Sequence, residues 1–108
     1  MKTPLDPIIE ALSKQNATTA RARHAYLEKE AERKTFESRL IQAADGKSQA
    51  EKQMNAQATK EWEAFAKALA RLESVYEFEK FKLTILDKEY QAQYLEIKEN
   101  GKQIARGA

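Results

Sequence analysis

The sequence predicts an all-α protein, with two long helices in an antiparallel helical hairpin or coiled coil and most simply a dimeric four-helix assembly. Its 108 residues include only three Gly and two Pro, whereas these residues make up about an eighth of a typical globular sequence. A sandwich or barrel of short strands would need turn residues about every 8–12 positions. Helix formers dominate, and valine occurs once, at Val75.

Composition narrows the class of protein further. Charged residues make up 33% of the chain and the net charge is +2, so the chain is no polycation. The absence of cysteine excludes a disulfide framework, thiol catalysis and cysteine-ligated zinc. Pro4 and Pro7 interrupt the stretch that a signal peptide would need to be apolar, and no run reaches membrane-spanning length. We therefore expect a cytoplasmic protein with no membrane partner.

The first predicted element is a helix over about residues 7–44. Thr3 or Asp6 supplies the N-cap oxygen, and Asp6 is favoured because Pro7 then occupies the first helical position. Gly46 is expected to adopt the left-handed conformation that ends a helix, within a turn at residues 45–48.

The second predicted element is one continuous helix over about residues 49–100. Ser48-Gln49-Ala50-Glu51 matches a capping box at its start, and Asn100-Gly101 matches a helix end. Residues 101–108 are predicted to form a frayed tail, and residues 1–108 a single helical domain.

A short turn at Gly46 would fix how the helices pair. It predicts Ile8 near Thr84, and residues 85–100 would extend beyond helix one by about 24 Å. The same register would place Tyr26 and Leu27 near Phe65, and Phe36 and Leu40 near Met54 and Ala56.

Helix two carries apolar residues on two faces. One face follows a heptad repeat, with a positions Trp62, Leu69, Tyr76, Leu83, Tyr90 and Ile97, and d positions Phe65, Leu72, Glu79, Leu86 and Gln93. The opposite face carries Phe78, Phe81, Ile85, Ala92 and Leu95. Because helix one can cover one face only, the predicted interface with another chain consists of Phe78, Phe81, Ile85, Leu86, Tyr90, Tyr94, Leu95 and Ile97.

No residue pattern points to catalysis, and no catalytic, cofactor-binding or metal-binding residue is predicted. His24 is the only histidine; with Glu28 it forms a solvated pair rather than a metal site, which needs more ligands. Gly46-Lys47-Ser48 lacks the earlier glycine and the strand of a phosphate-binding loop. We expect a protein that is not an enzyme and needs no cofactor.

The predicted function is that of a non-enzymatic, homo-oligomeric interaction protein, an adaptor, chaperone-like cofactor or inhibitor that binds itself and another protein. An alternative is a nucleic-acid-binding dimer that uses the basic residues of helix one, Arg21, Arg23, Arg33, Lys34 and Arg39. A weaker alternative is an exported helical-hairpin protein, because exported proteins of that kind have about the length and architecture predicted for this chain.

Overall fold

The computed structural model describes residues 4–107, and the side chains of residues 4–102. These residues form three helices, α1 (Asp6–Ala43), α2 (Gln49–Gln57) and α3 (Lys60–Gly107), and no strand. The all-α prediction is therefore confirmed, with two long helices. The prediction of one helix over residues 49–100 is wrong, because Ala58 and Thr59 interrupt the helix and separate α2 from α3.

α1 begins one residue before the predicted start. The Ile9 amide donates to the Leu5 carbonyl at 2.9 Å, so Leu5 flanks the helix and Asp6 lies in its first turn rather than at the N-cap. A carboxylate in the first turn stabilises the helix through its dipole. Thr3, the other candidate N-cap, lies outside the described residues.

The predicted capping signal at Ser48 is confirmed. The Ser48 hydroxyl accepts from the Glu51 amide at 3.1 Å, and the Glu51 carboxylate accepts from the Lys47 amide at 3.3 Å. The reciprocal bond thus reaches one residue before Ser48, so one amide of α2 and one amide of the preceding connector are satisfied.

Gly46 does not adopt the left-handed conformation that the sequence suggests, since no described glycine has a positive φ. Its small size matters instead. A Cβ at Gly46 would lie 2.9 Å from the Lys52 backbone nitrogen and 3.3 Å from the Glu51 carbonyl carbon. The connector therefore folds back closely on the first turn of α2, and the Asn55 side chain holds it there by donating to the Asp45 carbonyl at 2.6 Å.

Thr59 separates α2 from α3. Its amide donates to the Ala56 carbonyl at 3.2 Å, and its hydroxyl donates to the same carbonyl at 2.8 Å. The hydroxyl oxygen also accepts from the Trp62 amide at 3.2 Å, as an N-cap does for the next helix. One side chain thus ends α2 and starts α3.

α3 does not end at Asn100-Gly101 but continues to Gly107, so the predicted helix end at residue 100 is wrong. Glycine costs a helix about 1 kcal/mol relative to alanine. The flanking residues include Lys102, Gln103 and Ile104, which favour or tolerate helix and outweigh that cost.

The contacts divide the chain into two compact units. The first unit pairs residues 4–21 with residues 77–107, and the second comprises residues 22–76. In each unit a segment of α1 packs antiparallel to a segment of α3. Among the described side chains, the buried apolar ones are Ile8 in the first unit and Ala56 and Phe65 in the second, so each core is thin.

The pairing register differs from the prediction. In the second unit, Phe36 stacks on Phe65 with ring centroids 4.7 Å apart, and Tyr26 lies 6.2 Å from Tyr76. Phe36 was expected near Met54 and Ala56, and Tyr26 near Phe65. The difference arises because α2 occupies the connector, so that α3 begins later in the sequence than a simple turn would allow.

The same change removes the predicted overhang in the first unit. Ile8 lines a groove with Leu86 and Glu89 rather than lying at Thr84, and Pro4 lines a groove with Ile97 and Asn100. The N-terminal residues of α1 therefore lie beside the part of α3 that was expected to extend past them.

Candidate interaction surface

The heptad seam of α3 faces α1, as its spacing predicts. Seam residues from Trp62 to Tyr90 are buried or half-buried, and Gln93 and Ile97 at the far end are exposed. α1 therefore covers one face of α3. The large apolar residues on the opposite face are exposed in the part of the chain that the structure describes.

The opposite face of α3 forms a line that we call the outer stripe: Phe78, Phe81, Ile85, Lys88, Ala92 and Leu95. All six side chains are exposed, with exposed fractions of 59% for Phe78, 62% for Phe81, 42% for Ile85 and 58% for Leu95. Their spacing alternates between three and four residues, which keeps them on one side of a helix. Large apolar residues exposed in a row are typical of a contact surface.

The predicted interface residues divide between two sides of α3. Phe78, Phe81, Ile85 and Leu95 belong to the outer stripe, whereas Leu86 and Ile97 line grooves beside the start of α1. Sequence reasoning had grouped both sets because it placed residues 85–100 beyond the end of helix one.

Tyr90 and Tyr94 are the remaining members of the predicted interface. Tyr90 is half-buried on the seam side, and Tyr94 is 49% exposed. Their rings stack on each other with centroids 6.3 Å apart and planes at 20°. The pair covers part of its own apolar surface and lies on the seam side of α3, away from the outer stripe.

Charged residues border the outer stripe. The Lys82 ammonium lies 4.6 Å from the centre of the Phe78 ring and 3.4 Å from the Glu79 carboxylate. Glu77 pairs with Lys80 at 3.3 Å. Lys82 was missed as part of the surface by sequence reasoning, although its position four residues after Phe78 on a helix would have indicated it.

A polar cluster interrupts the apolar seam of the first unit. The Gln15 amide nitrogen donates to the Glu79 carboxylate at 2.6 Å and to the Glu79 carbonyl at 3.1 Å. The Thr19 hydroxyl, on a residue that is 8% exposed, donates to that carbonyl at 3.3 Å. Gln15 and Thr19 of α1 thus contact Glu79, the polar d position of the seam, which satisfies these polar groups and disfavours other registers.

This cluster lowers the pKa of Glu79. The main cause is the hydrogen bond from Gln15, which favours the ionised carboxylate; the hydrogen bond and positive charge of Lys82 act in the same direction, and partial burial acts against them. The Glu79 side chain is 14% exposed.

We expect the cluster to make stability depend on acidic pH. A carboxyl whose pKa is lower in the folded than in the unfolded chain stabilises the fold above its unfolded pKa, and this contribution is lost as pH falls through the folded pKa. The pH window in which this stability is lost therefore lies below about 4.5. NMR titration of the Glu79 carboxyl carbon should give a pKa below the ordinary value in the parent chain and a higher one in Gln15→Ala. The adjacent exposed residue provides the control, Asn16→Ala, which should leave the Glu79 pKa unchanged; a parent pKa at or above the ordinary value would contradict the expectation.

The basic residues proposed for nucleic-acid contact, Arg21, Arg23, Arg33, Lys34 and Arg39, are all exposed. Arg33 pairs with Glu30 at 3.5 Å, and Arg21 donates to the Thr18 hydroxyl at 3.2 Å. Acidic and hydroxyl neighbours therefore engage two of these side chains.

His24 and Glu28 lie 3.7 Å apart and are largely exposed. Within residues 4–107, no group of three or more His, Asp or Glu side chains is placed to hold a metal ion. Over the same residues, no helix combines the length and apolarity needed to cross a bilayer.

Comparison with known proteins gives no relative. No protein-family model, no curated protein and no solved structure matches the chain.

Proposed function

We propose that this chain is a non-enzymatic, oligomeric interaction protein that acts through protein–protein contact. The observation that carries the proposal is the outer stripe of α3, where Phe78 and Phe81 are each about three-fifths exposed. Exposing large apolar side chains to water is unfavourable, and a row of them on a helix face matches the way amphipathic helices bind partners.

The size of the stripe indicates what kind of partner it needs. Full burial of a large apolar side chain contributes about 1.5–3 kcal/mol, so covering the exposed halves of Phe78, Phe81, Ile85 and Leu95 contributes on the order of 4 kcal/mol. Association itself costs about 4–15 kcal/mol. A partner must therefore add a comparable apolar surface of its own, which favours a protein over a polar ligand.

The thin core supports the same proposal. In the described part of the chain, Ile8 and Phe65 are the large apolar side chains that are buried, whereas most domains of this length bury many more. A chain with so little buried surface gains stability from any partner that binds its folded state. Adaptor, chaperone-like cofactor and inhibitor are the roles that such a surface can serve.

The test is co-purification of the tagged full chain from its native host, with light scattering after size exclusion on the purified protein. We expect a stoichiometric protein partner or a mass that is a multiple of 12.4 kDa. Phe81→Glu should abolish the complex, because it places a charge in the apolar contact, and should keep its helicity, because Phe81 is 62% exposed.

The matched control is Phe81→Leu, which keeps an apolar side chain at the same position and should retain the complex. A parent chain that remains monomeric and recovers no stoichiometric protein would contradict the proposal. A complex that persists unchanged in Phe81→Glu would also contradict it, because the outer stripe would then not be the contact surface.

A further inference from the structure

We propose that the outer stripe of α3 binds the same stripe of a second copy of this chain, with the two α3 helices antiparallel. This inference rests on the proposed function and names the partner for that surface. In the register we infer, Phe78 lies opposite the partner's Leu95, and Ile85 lies opposite the partner's Lys88. Ala92 lies opposite the partner's Phe81.

The spacing of the stripe is the first argument. Phe78, Ile85 and Ala92 recur every seven residues, and Phe81, Lys88 and Leu95 fill the second position of the same heptads. This is the a and d pattern that pairs one helix with another. It is distinct from the heptad of the seam, so α3 carries one pairing surface for α1 and one for a second helix.

Lys88 decides the orientation. A parallel pair would place Lys88 directly opposite the partner's Lys88 in an otherwise apolar layer, where two like charges repel in a partly desolvated site. An antiparallel pair places it opposite the partner's Ile85 instead. The aliphatic part of the lysine then packs on isoleucine while its ammonium reaches solvent at the edge.

The sizes of the opposed side chains also favour the antiparallel pair. The large ring of Phe81 lies opposite the small Ala92 of the partner, and the pairing occurs twice because the dimer has two-fold symmetry. A large residue opposite a small one fills the space between two helices without a cavity or a clash. In a parallel pair Phe81 would meet Phe81 and Ala92 would meet Ala92, which leaves one layer crowded and another empty.

Charges along the borders of the stripe are complementary in the same register. The antiparallel pair brings Glu77 beside the partner's Lys98 at each end, and it brings Lys82 beside the partner's Glu89 nearer the centre. Two-fold symmetry repeats both contacts. Each pair joins opposite charges, as expected where border residues select partner and orientation.

Some border residues already have contacts within the chain. Lys82 lies 3.4 Å from Glu79, and Glu77 lies 3.3 Å from Lys80. Glu77, Lys80 and Lys82 are exposed, and an exposed ammonium or carboxylate can take part in two ion pairs at once. The intrachain contacts also hold Lys82 over the Phe78 ring, at the border where the partner's chain would lie.

Cysteine cross-linking tests the orientation, and the absence of natural cysteine makes the result unambiguous. Full-length Phe78→Cys and Leu95→Cys variants are oxidised separately and as an equimolar mixture. We expect the mixture to yield a disulfide-linked dimer that contains both variants, and each variant alone to yield little. Efficient cross-linking of Phe78→Cys with itself would overturn the proposal, because only a parallel pair brings those residues together.

A charge exchange tests the register without removing an apolar residue. Glu77→Lys and Lys98→Glu should each raise the dissociation constant of the dimer by about 2- to 30-fold, since each loses two exposed ion pairs. The double variant should restore the parent value. Failure of the double variant to restore binding would overturn the inferred register.

The oligomeric state separates this inference from the proposed function. A parent chain that is monomeric at all concentrations, yet recovers another protein through Phe81, would overturn the self-pairing and leave the proposed function standing. A monomer that recovers nothing would overturn both.

Discussion

Replacing Phe65 with alanine is expected to lower the free energy of unfolding by about 3–5 kcal/mol. Phe65 is 6% exposed and lies at the centre of the second unit. Its ring stacks on Phe36 at 4.7 Å and on Trp62 at 6.0 Å, and the Lys29 ammonium lies 4.7 Å from its centre. Alanine removes all of these contacts and leaves a cavity between two helices.

Urea denaturation provides the measurement, followed by circular dichroism for the whole chain and by fluorescence for the second unit. Trp62 is the only tryptophan in the sequence, so its emission reports on the surroundings of Phe65. The control is Met54→Ala, in the same unit, where the side chain is 70% exposed and the expected change is within about 0.5 kcal/mol. Equal effects of the two substitutions would contradict the assignment of Phe65 to the core.

A double-mutant cycle extends the test to the register. Phe36→Ala and Phe65→Ala should couple by about 0.5–1.5 kcal/mol, as stacked aromatic pairs do. Sequence reasoning had placed Phe36 near Met54 and Ala56 instead. Coupling between Phe36 and Phe65, with none between Phe36 and Met54, would distinguish the two registers.

The positions of Phe78, Phe81, Ile85 and Leu95 on an exposed face could be predicted from the sequence because helical periodicity is a local property. Residues three and four apart share a side of any α-helix, whatever lies next to it. The same argument correctly placed Phe65 and Leu72 on the seam. For these residues, the spacing along the sequence indicates the face of the helix, and the face indicates whether the side chain is buried.

The register could not be predicted because it depends on one weak signal, Thr59. This residue lies among helix formers, with no glycine or proline nearby, and the third residue after it is Trp62 rather than the glutamate or glutamine of a capping box. Sequence reasoning therefore continued the helix through Thr59. As a result, the predicted contact partners of the α1 residues are displaced along α3, from those of Phe36 in the second unit to those of Ile8 in the first.

The Gln15 and Glu79 contact was missed for the same reason. Glu79 is a polar d position in the heptad of the seam, but its partner on α1 can be identified only when the register is known. Their pairing at 2.6 Å suggests why neither is apolar: a polar layer that is satisfied in one register and unsatisfied in neighbouring ones specifies how the helices align.

Replacing Ile8 with alanine is expected to lower the free energy of unfolding by about 2–5 kcal/mol. Ile8 is 7% exposed and lines a groove with Pro4, Pro7 and Leu86. It is the buried large apolar residue among the described side chains of the first unit. Total stabilities of small domains are about 5–15 kcal/mol, so the loss would be a large part of the whole.

Ile9 supplies a control that differs from Ile8 in burial alone. It is the same residue type in the same turn of α1, and it is 47% exposed. Ile9→Ala should change the free energy of unfolding by no more than about 0.5 kcal/mol, partly because alanine is the better helix former. Thermal and urea unfolding of both variants, at one protein concentration, give the comparison.

A second substitution, Leu86→Ala, should be non-additive with Ile8→Ala because both side chains line the same groove. Additive effects, or equal losses at Ile8 and Ile9, would mean that the start of α1 does not pack against the later part of α3.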